Sequence, residues 1–109
     1  TERHTNTKKY NIAIYDKERL IGGAIGFIRY EWYFLEELWI EEEYRRNGIG
    51  TKIINEIEKI AKENNALGIR VETWSFQAKG FYEKMGFLVY AEFEDCPPGT
   101  IDYSLRKKF

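Results

Sequence analysis

The sequence predicts a single mixed α/β domain with the element order β-β-β-α-β-α-β-β. Three observations carry that reading. The chain has 109 residues, which fits one domain and leaves no room for two. Aromatic residues make up 17% of it and gather with β-branched residues in short runs, as sheet-forming sequences do. Ile49, Ile53, Ile57, Ile60 and Ala61 recur three or four residues apart, the spacing of one apolar helix face.

The elements follow in order. Residues 1–7 (TERHTNT) are polar and aperiodic and read as a frayed or appended end; Thr1 in place of a start methionine points to a natural N-terminus further upstream. Residues 8–15 carry an alternating strand pattern, and Leu20–Tyr30 is a second strand loosened by Gly22, Gly23 and Gly26. With Asp16–Arg19 as the turn, the two form an antiparallel hairpin. Residues 33–40 (YFLEELWI) are a third strand. A helix runs from about Gly48 to Asn64, where Asn64 and Asn65 stop it. Residues 67–74 (LGIRVETW) form a strand, and Gln77–Met85 is a short helix closed by Gly86, where a C-terminal glycine is favoured. Phe87–Phe93 and Ile101–Arg106 are the last strands, joined by the turn segment Asp95–Thr100 and pairing as a hairpin. The strand–helix–strand units require some parallel pairing, so the sheet is mixed.

Composition excludes several function classes. Seventeen Lys and Arg balance eighteen Asp and Glu, a net charge of -1, without the basic excess of a general nucleic-acid binder. The longest uncharged apolar run, Leu20–Ile28, is far short of the ~20 residues a membrane helix needs, and no secretory signal is visible. The lone Cys96 has no disulfide partner, which points to a reducing, cytoplasmic setting. His4 has no Cys or His at ligand spacing, so no metal site is expected.

The loop Arg45-Arg46-Asn47-Gly48-Ile49-Gly50-Thr51 joins the third strand to a helix N-terminus. Glycines there allow tight turning and leave amides accessible, and the helix dipole favours an anion such as phosphate. Arg45 and Arg46 add positive charge, or serve as a solvated surface pair. Neither the Walker A spacing nor the G-x-G-x-x-G fingerprint fits, since position 45 is Arg and position 53 is Ile. What stands here is R-x-x-G-x-G.

In those residues the chain resembles the GNAT superfamily of N-acetyltransferases, whose Gln/Arg-x-x-Gly-x-Gly/Ala loop binds acetyl-CoA. Arg45, Gly48 and Gly50 occupy the loop positions, and Leu38-Trp39-Ile40 lies where the family has an apolar strand bonded to the pantetheine arm. Downstream, Ala78-x-x-Phe81-Tyr82-Glu83-Lys84-Met85-Gly86-Phe87 matches the family's second helix end. The resemblance covers roughly residues 8–109, without the opening strand and helices that usually shape the acceptor side, and with Ser75 where many members carry Asn.

The resemblance implies a mostly antiparallel sheet whose Leu38 and Val71 strands splay apart to admit pantetheine. It places the pyrophosphate on amides among Arg46, Asn47, Gly48, Ile49, Gly50 and Thr51, and an oxyanion-stabilising amide within Leu38, Trp39 and Ile40. Tyr82 takes the place of the family tyrosine near the CoA sulfur and is the candidate general acid, with packing under the sheet as the other role open to it. Phe81 packs on the core or on pantetheine.

An alkylammonium with a pKa of ~10 is neutral in only about one molecule per thousand at pH 7, so a base is needed. Strict alternation puts Glu36 on one face with Leu38 and Ile40, and Glu37 with Trp39 on the other. In the family the bases on this strand stand two or four residues before the Leu38 position, and position 34 is Phe, so the resemblance makes Glu36 the candidate base, with Glu37 in reserve. Six glutamates from Glu31 to Glu43 form an acidic stretch that would attract a cationic amine, or simply a solvated face. Tyr30, Trp32, Tyr33 and Phe34 read as sheet core, with an acceptor-pocket wall or a homodimer contact as the alternatives. The expected activity is acetyl transfer from acetyl-CoA to a primary amine of a small molecule or peptide. A non-catalytic acyl-CoA sensor and a structural oligomerisation domain are the rival readings.

Overall fold

The expected elements all form, in the expected order. The computed structural model describes residues 6–109; the readings placed on Thr1 and His4 lie outside them. Strands β1 (Lys8–Asp16), β2 (Arg19–Arg29) and β3 (Trp32–Ile40) are followed by a single 3-10 turn, Glu42–Tyr44. Helix α1 (Ile49–Glu63), strand β4 (Gly68–Thr73), helix α2 (Phe76–Lys84) and strands β5 (Leu88–Glu94) and β6 (Ile101–Lys108) complete the chain. One six-stranded sheet has the order β1-β2-β3-β4-β6-β5. The β3–β4 pair is parallel and every other pair antiparallel. Only the first strand–helix–strand unit pairs its own strands, because β6 inserts between β4 and β5.

Local sequence explains the joints. Tyr30 and Glu31 both hold positive φ, the type I′ geometry that turns β2 tightly into β3. Tyr30 is therefore an exposed turn residue, not part of the sheet core with Tyr33. Helix α2 starts at Ser75, whose hydroxyl oxygen accepts the Ala78 N–H at 3.1 Å, and it ends before Gly86 at φ 96.

Both helices cover one face of the sheet. Ile53, Ile54, Ile57 and Ala61 of α1 are wholly buried, against Tyr33, Leu35, Ile69, Val71 and Leu105. Each isoleucine contributes about 1.5–3 kcal/mol by leaving water. Tyr82 of α2 and Phe87 join the same core. Gly26 lets the Tyr33 ring lie flat on β2, since a Cβ there would sit 2.5 Å from the ring. The opposite face carries Phe27 stacked on Phe34, with ring centroids 4.8 Å apart, and Arg70 beside them.

Two irregularities break the strand period. On β3, Leu35 faces Gly26 and Glu37 faces Ile25, so Glu36 has no partner and forms a bulge. Leu38 and Ile40 face Ala24 and Gly22, on the helix-covered side with Tyr33 and Leu35. The expected grouping of Glu36 with Leu38 and Ile40 is thus corrected: the extra residue resets the alternation, and Glu36 belongs to neither simple face. On β5, Val89 faces Leu105 and Ala91 faces Ser104, so Tyr90 is a second bulge residue.

The Tyr33 hydroxyl is buried without a hydrogen-bond partner among the described residues. Burial, with a smaller contribution from Tyr10, pushes its phenol up to about 12. Tyr82 is pushed up to about 12 by burial alone. The stability that comes from keeping both phenols neutral is complete below the unfolded value of ~10 and is lost as pH rises through 12. Tyr33→Phe removes one of the two groups and an orphan hydroxyl. Melting at pH 7 is expected to be unchanged or raised, and the loss of stability from pH ~10 to ~12 to become shallower. Thermal denaturation across that range checks it; an equally steep loss would exclude Tyr33 as a contributor.

Candidate active site

The central feature is where β3 and β4 stop pairing. They match only through Tyr33–Ile69, Phe34–Arg70 and Leu35–Val71, although both strands continue. Beyond Leu35 they separate, the splay expected for the Leu38 and Val71 strands. Two cavities of about 330 Å³ each open at the gap. On the helix-covered side the lining includes Leu38, Thr73, Ser75, Ala78 and Tyr82. On the open face it includes Phe27, Phe34, Arg70, Trp74 and Tyr90. Leu35, Glu36, Val71 and Glu72 line both cavities, so the two meet through the sheet.

Backbone polarity at the gap follows from the β2–β3 ladder. The Glu41 N–H donates to Ile21 O at 2.8 Å, which fixes the alternation of bonded pairs along β3. Residues 37, 39 and 41 turn their amides toward β2, and Leu38 and Ile40 turn theirs toward the gap. Trp39 instead sits against Gly23 on β2. Of the expected strand segment, Leu38 and Ile40 thus present backbone donors to the gap and Trp39 does not.

The Arg45–Thr51 loop begins at the end of β3. Arg45 Nε donates to Ile40 O at 3.1 Å, which anchors the loop to the strand. Arg46 and Gly48 both hold left-handed φ, 67 and 77. Gly48 is the N-cap of α1 and no side chain caps it. Among the described residues, the amides of Arg46, Asn47, Gly48, Ile49, Gly50 and Thr51 have no acceptor. Neither arginine has a carboxylate within ion-pair distance among the described residues. A Cβ on Gly48 would meet no atom within 4 Å, so that side of the loop is open to a ligand. Unpaired amides, a helix N-terminus and two cations together suit a pyrophosphate. Thr51 is exposed, and its hydroxyl lies 3.8 Å from Met85 Sδ. Gly50 is buried for another reason, since a Cβ there would lie 3.1 Å from the Phe81 ring.

Tyr82 is 6% exposed, packs edge-on to Phe81 at 5.3 Å, and still lines the helix-side cavity. Its raised pKa keeps the phenol protonated at neutral pH, the form in which it donates. Ser75 lines the same cavity while its oxygen serves the α2 cap. Glu36 is exposed and stands at the junction of the two cavities, whereas Glu37 pairs with Ile25 across the β2–β3 ladder and lines only the helix-side cavity.

Three residues of the gap were not singled out by the sequence: Arg70, Glu72 and Trp74. Alternation within LGIRVETW places them together opposite Ile69 and Val71, which is the signal that would have found them. The Glu72 carboxyl is raised, first by partial desolvation and then by the nearby Asp102. Trp74 Nε1 donates to Cys96 O at 2.9 Å and holds the β5–β6 loop beside the cavity. Phe34 also lines the open cavity, so of the aromatic cluster it takes the pocket-wall role.

A splayed parallel pair thus stands near a helix start whose loop amides are unpaired, with a cavity on each face of the sheet at the splay. Residues 1–87 match the family model described as the acetyltransferase (GNAT) family, and the chain belongs to that family. It is 35% identical over 94 residues to the blasticidin-S acetyltransferase of Streptomyces morookaense, covering 85% of this chain and 69% of that protein. Among solved structures, an acetyltransferase from Bacillus cereus superposes with a TM-score of 0.91 at 30% identity, over 99% of this chain and 78% of that one. The PaiA N-acetyltransferase of Thermoplasma acidophilum, solved in complex with coenzyme A, superposes with a TM-score of 0.81 at 25% identity, over 93% and 61% of the two chains.

Gly48→Val puts a β-branched side chain at a left-handed residue in open space, so its effect is confined to the loop backbone. Acetyl-CoA affinity is expected to fall about tenfold or more, an estimate from losing one or two charge-assisted bonds, with the circular dichroism spectrum retained. Gly50→Val is expected to lower the melting temperature as well, through Phe81. Calorimetric titration checks the affinity of both variants, and thermal denaturation the melting temperature. Unchanged affinity in folded Gly48→Val would take the loop out of the site.

Proposed function

We propose that the chain transfers an acetyl group from acetyl-CoA to a primary amine of a small molecule by direct attack in the β3–β4 gap. The observation that carries this reading is the pair of cavities meeting through the sheet at Leu35, Glu36, Val71 and Glu72. One cavity lies on the helix-covered side beside Leu38 and Tyr82 and the other on the aromatic and acidic open face, so two reactants reach one point from opposite sides. The relative that acetylates blasticidin S supports a small-molecule acceptor. The exposed free thiol of Cys96 supports a cytoplasmic setting.

Acetyl-CoA, when bound, supplies an acetyl group activated as a thioester. The amides from Arg46 to Thr51, with Arg45 and Arg46, hold its phosphates. The Leu38 and Ile40 amides face the gap, where a donor to the developing oxyanion contributes roughly 3 kcal/mol. Glu36 takes the proton that the acceptor ammonium must lose before its nitrogen attacks. The new N–C bond forms, the C–S bond breaks, and Tyr82 gives its phenolic proton to the leaving sulfur. The acetylated nitrogen gives up its second proton, which returns through solvent to the Tyr82 phenolate, and Glu36 releases the proton it took to solvent.

Tyr82→Phe is expected to lower kcat by roughly 10²-fold while acetyl-CoA affinity changes little. Glu36→Gln is expected to depress the low-pH limb of kcat/KM by about tenfold or more, with the defect shrinking at high pH where the amine arrives neutral. Glu37→Gln, off the junction, is expected to leave the profile nearly unchanged. With its phenol near 12, Tyr82 contributes no limb below pH ~11. Free thiol release against pH, with one amine and all three variants, is the measurement. A larger pH-dependent loss in Glu37→Gln would move the base to Glu37. Full kcat in Tyr82→Phe would reduce Tyr82 to packing.

A further inference from the structure

The open-face cavity holds a cation that the transfer chemistry leaves unused. Arg70 lines it together with Glu36 and Glu72. Its guanidinium lies 4.8 Å from the Phe34 ring centroid and 5.8 Å from that of Tyr90. Nε and Nη2 donate to the Tyr90 hydroxyl at 3.1 and 2.8 Å. Two aromatic rings and one phenol oxygen thus fix the plane of the group. Tyr90 is placed for this by the β5 bulge, which frees it from a cross-strand partner.

Its electrostatic position is unusual. Among the described residues no carboxylate lies within 4 Å of Arg70, although Glu72 is two residues along the same strand face. Of its five N–H donors, Tyr90 takes two, and Nη1 with the outer edge of Nη2 is left to the cavity. A guanidinium edge fixed in this way matches a carboxylate fork. At the other end of the cavity, Glu36 and Glu72 present negative charge where the amine must react. Arg70 and Glu72 stand on the same face of β4, with a backbone spacing of about 7 Å for two residues along a strand.

We infer that the acceptor is a zwitterion, a small primary amine that also carries a carboxylate, and that Arg70 selects it by binding that carboxylate. This rests on the acetyl-transfer reading and names its substrate class. The amine end lies at Glu36 and Glu72, the acid end at Arg70, and the apolar middle against Phe27 and Phe34. An amine lacking the carboxylate leaves Arg70 solvated and gains nothing from it, whereas a fully anionic molecule meets the two glutamates.

The test uses matched pairs that differ only in the carboxylate: lysine against cadaverine, γ-aminobutyrate against propylamine, and β-alanine against ethylamine. Thiol release gives kcat and KM for each, in the wild type, Arg70→Gln, Arg70→Lys and Tyr90→Phe, with circular dichroism to establish folding. The expected result is a preference of about tenfold or more in kcat/KM for the carboxylated member of at least one pair, set by KM. That ratio should collapse toward one in Arg70→Gln. It should fall part-way in Arg70→Lys, which keeps the charge but not the fork, and in Tyr90→Phe, which releases the guanidinium. Turnover of the pairs without carboxylate preference, or a preference that survives Arg70→Gln, would overturn the assignment alone. No thiol release with any amine, in protein that binds acetyl-CoA, would overturn the acetyl-transfer reading and this assignment with it.

Discussion

The early end of the β3–β4 pairing is the constraint on which the rest of the structure depends. A parallel pair in the middle of a sheet normally continues, because each unpaired amide and carbonyl is costly away from water. Here pairing stops after three residue pairs. Beyond it the strands diverge, while α1 keeps Ile53, Ile54 and Ile57 fully buried against the sheet. From the gap follow the unpaired Leu38 and Ile40 amides, the cavity beside Tyr82 and the position of Glu36. The structure trades backbone pairing at one point for a passage through an otherwise closed sheet.

A second consequence concerns the loop at the end of β3. Its entry is tied down by contacts remote from the gap: Tyr44 donates to Asp16 Oδ2 at 2.6 Å, and Arg19 pairs with Glu43 at 3.1 Å. The Glu43 carboxyl is held below its usual range by that arginine. Glu43 therefore belongs to the anchoring of the loop and not to an acidic field over the gap. Such exposed pairs add little stability, but together they set where the chain enters α1.

The fold was legible in the sequence because the signals were local. The isoleucine period gave α1, Gly86 gave the end of α2, and the R-x-x-G-x-G loop fell at a helix start as its glycines required. Element order and the mixed sheet followed. The finer site did not, for a physical reason: the β-period assumes one residue for one partner. Glu36 and Tyr90 each violate it, and a bulge leaves no mark in composition. Counting alternation through Glu36 set it beside Leu38, whereas the register resets between them. Arg70 escaped notice because its role comes from Tyr90, which is distant in sequence and brought near only by the strand order.

Those two unpaired strand residues also shape how such a domain can change over generations. A residue with a cross-strand partner and a buried face, such as Leu35 or Val71, is bound to its neighbours, and replacing it disturbs the core. Glu36 and Tyr90 have no cross-strand partner and border solvent, so the strand ladder does not restrict them; Glu36 is constrained by its work on the acceptor's proton, and Tyr90 by its two bonds from Arg70. Substitution at Tyr90 alters what the open face recognises while the helix-covered side keeps its packing. One half of the domain is conservative by mechanics and the other is open to drift, which separates the inheritance of the chemistry from the inheritance of its target.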